Sequence, residues 1–225
     1  MTMQVQYNEE RHEYTVNGIV VPPLTSMLAA DGLSGHLDQV PAATLQAKRE
    51  WGSRLAAALL KAEYDFGVDE EFKQHVVDWL DFIRKMKWGK PDRNPIWKNA
   101  ELPALGHYEG LYFGFTPDRA APEAVVEFKG TYSQHISHNL QTAIQVIGMG
   151  YSRQTPRYII YFDRQGIKRS HGIILCGDTI DRDGKTVNVW NEAERILFDY
   201  AVSLDIMEGS GVAAPASLFA GKERT

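Results

Sequence analysis

Gly114-Phe-Thr-Pro-Asp118-Arg-Ala-Ala-Pro-Glu-Ala-Val-Val-Glu127-Phe-Lys129 spans the ends of two strand-like runs. Asp118 ends the first, aromatic run, and Glu127-Phe128-Lys129 ends the second after eight intervening residues. Side chains alternate along a strand, so Glu127 and Lys129 point the same way and Phe128 points into the opposite layer. If the two runs pair as neighbouring strands, two carboxylates and one ammonium converge at one sheet edge. The stretch therefore predicts a compact site for a divalent metal and a phosphate.

The composition limits the class of protein. The 225 residues are enough for one large domain, and 44% hydrophobic and 24% charged residues are ordinary for a soluble globular chain. No apolar run is long enough to span a bilayer, and the first residues do not have the pattern of a secretory signal. The single cysteine, Cys176, excludes an internal disulfide and fits a reducing compartment, so we expect a cytoplasmic protein with no membrane partner.

The formal net charge of -5 argues against a protein that binds DNA through overall positive charge. It does not exclude an enzyme of nucleic acids. Active-site carboxylates add negative charge that a bound metal neutralises, and a local basic groove can still follow the phosphates.

The order of elements predicts a mixed α+β fold, with a central mixed β-sheet flanked by helices in one domain, residues 1–225. Residues 1–24 read as a β-hairpin region, 25–104 as a helical region with a loop, 105–208 as the core that carries the site, and 209–225 as a flexible tail. Five helices are expected: a short one capped by Thr25, one over 42–66, one that begins at Asp69, one over 137–151 and one over 189–207. The helix that begins at Asp69 is expected to bury Val76, Val77, Leu80 and Ile83. The expected core strands are 107–115, 124–129, 157–162 and 172–175, with a turn at 181–184.

Two carboxylates at this spacing can hold Mg²⁺ or Mn²⁺, which prefer oxygen ligands and share their shell with phosphate and water. The metal would acidify a bound water, and Lys129 could orient that water or stabilise the transition state. The alternative is an ordinary solvated strand, because an Asp-x8-Glu-x-Lys pattern also arises by chance.

The context of this pattern resembles the PD-(D/E)xK nuclease superfamily, most closely its RecB-like and phage exonuclease branches. The specific part is residues 114–145: an aspartate after a Phe-Gly-Phe strand, a Glu-x-Lys strand, and a following helix with Gln141 and Gln145. The opening His12-Glu-Tyr-Thr-Val-Asn-Gly18, with Val21-Pro-Pro-Leu-Thr25 after it, also looks like phage members, so the resemblance covers about residues 7 to 175.

The resemblance implies a restriction-endonuclease-like core with defined roles. Asp118 and Glu127 would be the metal ligands, the backbone carbonyl of Phe128 would complete the metal shell, and Lys129 would be the catalytic lysine. Gln141 would face the site and help position it or the DNA.

The chain departs from the family pattern in the first long helix. RecB-like members often carry Gly-x-x-x-His there, and the histidine is an extra metal ligand. Counted from Gly52, that position is Ala56. The departure favours the variant in which an upstream glutamate serves as a ligand, and Glu109 or Glu50 could take that role.

Further residues are candidates for contacts with DNA. A basic and aromatic cluster, Arg84, Lys85, Lys87 and Trp88, suits a single strand or a DNA end. Arg119 is a further candidate, as are the basic residues Arg153, Arg157, Arg164, Lys168 and Arg169. His135 and His138 are three residues apart and can share a helix face. They could bind zinc as a pair, although no further ligands are visible at a suitable spacing, or they could be surface histidines, one of which contacts a DNA phosphate.

The expected function is a Mg²⁺- or Mn²⁺-dependent DNA exonuclease in phage-type recombination or repair. The resemblance implies DNA as substrate, with a single-strand annealing protein and further copies of the chain as possible partners. If the chain is phage-encoded, its compartment is the cytoplasm of the bacterial host. The alternatives are an endonuclease of the same superfamily and a catalytically inactive relative that binds DNA or protein.

Overall fold

A computed structural model describes residues 5–8, 10–11, 13–33, 41–64, 66–67, 69–88, 96–130, 135–167 and 172–208, with side chains to residue 204. The N-terminal strands β1 (Val5–Asn8), β2 (Glu13–Val16) and β3 (Ile19–Val21) form an antiparallel sheet. Its buried side is formed by Tyr14, Val16 and Val21. The expected hairpin is confirmed, and β3 extends it by one strand.

Three helices follow the N-terminal sheet: α1 (Leu24–Ala30), α2 (Ala42–Glu63) and α3 (Lys73–Met86). A short 3₁₀ turn, Glu70–Phe72, precedes α3, and the Asp69 side chain accepts a hydrogen bond from the Glu71 N–H. The expectation that Thr25 caps α1 is wrong, because Pro23 occupies the N-cap position and no side chain caps the helix. Val77 was expected in the core but is exposed on the outer face of α3.

The next element is a hairpin, where a single strand over 107–115 was expected. Strands β4 (Ala104–Tyr108) and β5 (Leu111–Phe115) pair antiparallel around a two-residue turn. Glu109 and Gly110 in that turn have φ values of 43° and 89°. A tight hairpin turn of this kind requires positive φ at both central positions, and Gly110 adopts it without steric cost.

The central sheet contains β6 (Arg119–Ala121), β7 (Ala124–Lys129), β8 (Arg157–Asp163) and β10 (Ile173–Leu175), in the order β10-β8-β7-β6. The short strand β9 (Gly166–Ile167) also pairs with β8. Strands β7 and β8 are parallel and the other pairs are antiparallel. Helix α4 (Ile136–Gly148) makes the connection that a parallel pair needs.

Helices cover both faces of this sheet. Helices α1 and α4 pack on one face together with α5 (Val189–Glu208), while α2 and α3 pack on the other. Along β7, Val125 belongs to the first core and Val126 to the second, as strand alternation requires. The expected turn at 181–184 belongs to an additional hairpin, β11 (Thr179–Arg182) and β12 (Lys185–Asn188). The predicted class, a mixed α+β fold with a mixed sheet between helices, is confirmed.

Within the residues that the structure describes, none of the helices combines the length and the apolar character needed to cross a membrane.

Candidate active site

Asp118 and Glu127 meet through the short strand β6. In the antiparallel ladder Arg119 pairs with Val126, so Asp118 stands opposite Glu127 at the next position. The Phe128 N–H donates to Asp118 Oδ2 at 2.5 Å. The two carboxylates therefore converge at the C-terminal end of β7, although β5 itself is not the neighbour of β7.

The alternation along β7 follows the prediction. Lys129 Nζ donates to Glu127 Oε1 at 2.8 Å, so both side chains lie on the α4 face of the sheet. Phe128 packs on the other face, edge-on against Trp79 and Phe162 with ring centroids 5.0 and 5.5 Å apart.

Helix α4 supplies two amides that hold the ion pair in place. Gln141 Nε2 donates to Glu127 Oε1 at 2.5 Å, while Gln141 Oε1 accepts from Lys129 Nζ at 2.9 Å. Gln145, one turn later, donates to Glu127 Oε2 at 3.2 Å. Gln141 therefore faces the site, as the resemblance implied. Gln145 was not assigned a role from the sequence, although its i+4 spacing from Gln141 places both amides on one helix face.

A third carboxylate, Glu101, was missed by the sequence analysis. The last pair of the β4–β5 ladder is Ala104 with Phe115, and Glu101 and Asp118 each lie three residues beyond it. The Glu101 N–H donates to the Pro117 carbonyl at 3.1 Å, so the two chains stay together past the hairpin. Because the expected single strand over 107–115 hid the reversal of the chain, this proximity was not visible in the sequence.

Arg119 joins these elements from inside the protein. Its guanidinium, with no exposed side-chain surface, donates to Glu63 Oε1 at 2.7 Å and to Glu101 Oε1 at 3.0 Å. It also donates to the backbone carbonyl of Asp118. Arg119 thus ties the end of α2 and the segment before β4 to the residue that carries the first carboxylate. The prediction that Arg119 contacts DNA is wrong, because its side chain is fully buried.

The clustered acids perturb one another. Burial raises the pKa of Asp118 well above its usual range, and the negative charges of Glu127 and Glu101 raise it further. The Lys129 ammonium and the hydrogen bond from the Phe128 N–H lower this pKa, but by less. Burial also raises the pKa of Glu101 to about 6, with Arg119 opposing the shift and Glu127 and Glu63 adding to it. When a carboxylate is costly to ionise because other acids lie beside it, a bound cation stabilises its ionised form strongly.

Two of the acids, Asp118 and Glu101, line a cleft of about 840 Å³ between α2 and the sheet edge. Asp118 and Lys129 line one side of it, and Trp51, Gly52 and Ala56 of α2 line the other. Ala56 therefore faces the cleft at the position where the resembled family often has a histidine.

The donor set suits a hard divalent cation. Asp118 Oδ2 accepts from the Phe128 N–H, and Glu127 lies opposite Asp118 on the ladder, so two carboxylates adjoin at this edge. Mg²⁺ is usually held by one or two carboxylates together with waters and substrate phosphate. In the described ranges no group of three or more His, Cys, Asp and Glu side chains is arranged to hold a metal. The ligand roles of Asp118, Glu127 and the Phe128 carbonyl stay predictions.

The two other glutamates considered as ligands lie elsewhere. Glu109 is exposed in the β4–β5 turn, at the opposite end of the hairpin from Asp118. Glu50 is exposed on α2, accepts from Gln46 at 2.8 Å and is not part of the cleft wall. Of the upstream glutamates that the structure describes, Glu101 is the one whose charge acts on Asp118.

The basic and aromatic cluster lies at the far end of the sheet. Helix α3 runs antiparallel to β8, with His75 Nε2 2.6 Å from the Asp163 carbonyl at one end and Trp88 against Tyr158 at the other. The exposed cations of the cluster are Arg84, Lys85 and Lys87. They lie at the Tyr158 end, whereas the site lies near Tyr161, which pairs with Lys129. The prediction that Trp88 stacks on bases is wrong, because its ring is buried in an aromatic cluster.

His135, His138, Arg153 and Arg157 have local contacts, Arg153 with Glu194, while the candidates Lys168 and Arg169 lie outside the described residues. His135 accepts from the Ser137 N–H as the N-cap of α4. His138 Nδ1 lies 2.9 Å from the Tyr161 hydroxyl, and burial beside Lys129 lowers the pKa of His138 to about 3. Arg157, considered as a phosphate contact, is buried and donates to the Asn139 and Gly177 carbonyls.

Comparisons of this chain with protein-family models, with curated proteins and with solved structures find no match. The case for a function therefore comes from the geometry of the site.

Proposed function

We propose that this chain is a metal-dependent deoxyribonuclease that hydrolyses phosphodiester bonds at DNA ends. The observation that carries the proposal is the convergence of Asp118, Glu127 and Lys129 at one sheet edge, where Asp118 and Lys129 line a cleft. Two carboxylates with one fixed ammonium are the groups that phosphodiester hydrolysis with a divalent cation needs.

Each residue has a defined part in this proposal. Asp118 and Glu127 would hold Mg²⁺ or Mn²⁺, which when bound supplies a Lewis acid and lowers the pKa of a water. Lys129 is fixed between Glu127 and Gln141, so its ammonium can stabilise charge on the attacked phosphate without reorganising. Gln141 and Gln145 hold the Glu127 carboxylate in one orientation.

The biological setting rests on the resemblance alone. It suggests phage-type recombination or repair, a single-strand annealing protein as partner, assembly with further copies of the chain, and the cytoplasm as compartment.

The test is cleavage of linear and circular duplex DNA and of single strands, with Mg²⁺, Mn²⁺ or EDTA. Asp118→Asn and Lys129→Met should each abolish cleavage, and Glu109→Gln, at the far hairpin turn, should not. Loss of linear DNA alone would support an exonuclease, whereas cutting of circles would assign an endonuclease. If the intact chain cleaves none of these substrates with either metal, the enzyme proposal fails.

A protein that binds nucleic acid without cleaving it is the second candidate. One observation favours it: both carboxylate oxygens of Glu127 already accept hydrogen bonds, from Lys129, Gln141 and Gln145. Under this reading the cluster stabilises the fold, and Asp118→Asn would leave nucleic-acid affinity unchanged.

A further inference from the structure

Two arginines on the cleft wall have no acidic partner in the part of the chain that the structure describes. Arg11 follows β1 and Arg49 lies on α2, and both are exposed and line the cleft that holds Asp118. Neither guanidinium makes an ion pair within the described residues, whereas the exposed arginines Arg54, Arg84 and Arg153 each pair with an acid. An unpaired guanidinium at a cleft mouth can bind a phosphate without first losing a partner.

The cleft fits one strand better than two. The Lys129 side chain, which lines the cleft, is 19% exposed, so a phosphate must enter the cleft to reach its ammonium. A volume of 840 Å³ falls within the range of about 300–1,000 Å³ for sites that enclose a drug-sized molecule. A few nucleotides of a single strand fit such a space, and a stacked duplex does not.

Trp51 adds a ring to the same wall. Edge contacts to Phe72 and His75, with centroids 6.0 and 5.8 Å apart, hold the indole in place. A Cβ atom at position 130 would lie 3.2 Å from the indole, so glycine leaves space beside the ring. Aromatic rings interleaved with cations are the usual surface for single-stranded nucleic acid.

We infer that this cleft is the groove for single-stranded DNA, in which Arg11 and Arg49 bind the phosphates that flank the reacting one and Trp51 contacts a base. The inference rests on the proposed nuclease function and names the form of substrate that reaches its site. It places the DNA contacts at the cleft end of the sheet and away from Arg84 and Lys85.

The test measures binding in EDTA, where no cleavage occurs. Fluorescence anisotropy of a labelled 12-nucleotide single strand is compared for the full chain, an Arg11→Ala/Arg49→Ala variant, and an Arg84→Ala/Lys85→Ala control of equal charge change. Loss of two phosphate contacts should weaken binding at least about threefold and lower the slope of log affinity against log salt by about 1.4. The control variant should match the unmodified chain, and a blunt 12-base-pair duplex should compete poorly.

Three results would overturn the inference: unchanged binding by the Arg11/Arg49 variant, an equal loss in the control variant, or duplex competition as strong as that of the single strand. Thermal unfolding of each variant checks that these exposed substitutions leave the fold intact. Failure of the nuclease proposal would look different. In that case arginine-dependent binding of the single strand would persist while no DNA is cleaved with Mg²⁺ or Mn²⁺.

Discussion

Arg119 lies between Glu63 and Glu101, which come from distant parts of the chain, and none of its side chain is exposed. Removing one partner of a buried ion pair leaves an uncompensated charge, which typically costs about 3–5 kcal/mol. We expect Arg119→Met to lower the free energy of unfolding by an amount of this order, measured by urea denaturation.

A second substitution separates the effect of lost charge pairing from that of lost packing around Arg119. If the cost comes from the unpaired Glu63 carboxylate, Glu63→Gln in the Arg119→Met background should recover part of the lost stability. A double variant as unstable as the sum of the two single variants would contradict the ion-pair account.

His138 gives the stability of the protein a defined pH dependence. Its pKa of about 3 in the fold lies below the ordinary value of 6.5, so the unfolded chain binds the extra proton between these values. Its contribution is complete above pH 6.5 and is lost as the pH falls toward 3, with a slope of at most about 1.4 kcal/mol per pH unit. His138→Gln should flatten the pH profile of unfolding in this window. His107→Gln, at an exposed position on β4, is the control, and an equal flattening there would contradict the assignment.

The sequence was enough to predict the placement of residues whose positions depend on local strand geometry. Strand alternation was enough to place Glu127 and Lys129 together and Phe128 on the opposite face. The partners of Arg119 could not be predicted in this way, because Glu63 is 56 residues away and meets it only through the packing of α2 against the sheet.

At the level of elements, the N-terminal sheet lies directly against β5. A Cβ atom at Gly114 would be 2.1 Å from Tyr14 Cγ, and the Tyr14 hydroxyl lies 3.0 Å from Thr116 Oγ1. We expect Gly114→Ala to destabilise the protein by about 1–3 kcal/mol in thermal or chemical unfolding, because β2 must move away from β5.

Gly52→Ala is the matched control for this prediction. Gly52 lies inside α2, and a Cβ atom there would meet nothing within 4 Å. Alanine should therefore stabilise the helix by up to about 1 kcal/mol. Equal effects at both positions would show that the contact with Tyr14 does not decide the outcome.

The elements themselves were predicted unevenly, for physical reasons. The helices α2 and α4, which were predicted from their sequence pattern, and the β-branched and aromatic strand β8 were found close to their bounds. The stretch 107–115 was read as one strand because aromatic and apolar residues lie on both sides of Glu109-Gly110, whereas the antiparallel pairing and the positive φ values show that the chain reverses there. That error hid Glu101, since the β4–β5 ladder is what brings it opposite Asp118.

At the scale of the whole molecule, the acidic site should lower stability in the absence of metal. The raised pKa of Asp118 means that its carboxylate is harder to ionise in the fold than in the unfolded chain. Its ionisation therefore costs stability at neutral pH, and this cost disappears as the pH falls below the ordinary value of 3.8. Asp118→Asn should be more stable than the unmodified chain in EDTA at pH 7.

A bound divalent metal should reverse this order of stability and make the unmodified chain more stable than Asp118→Asn. A ligand that binds only the folded state stabilises it by about 2.7 kcal/mol at a concentration of 100 Kd. Mn²⁺ should therefore raise the Tm of the unmodified chain and of the Glu109→Gln control, and leave Asp118→Asn nearly unchanged. Differential scanning fluorimetry with and without EDTA measures both effects without any substrate. If Mn²⁺ raises the Tm of Asp118→Asn as much as that of the unmodified chain, the cation binds elsewhere and the assignment of Asp118 as a ligand is wrong.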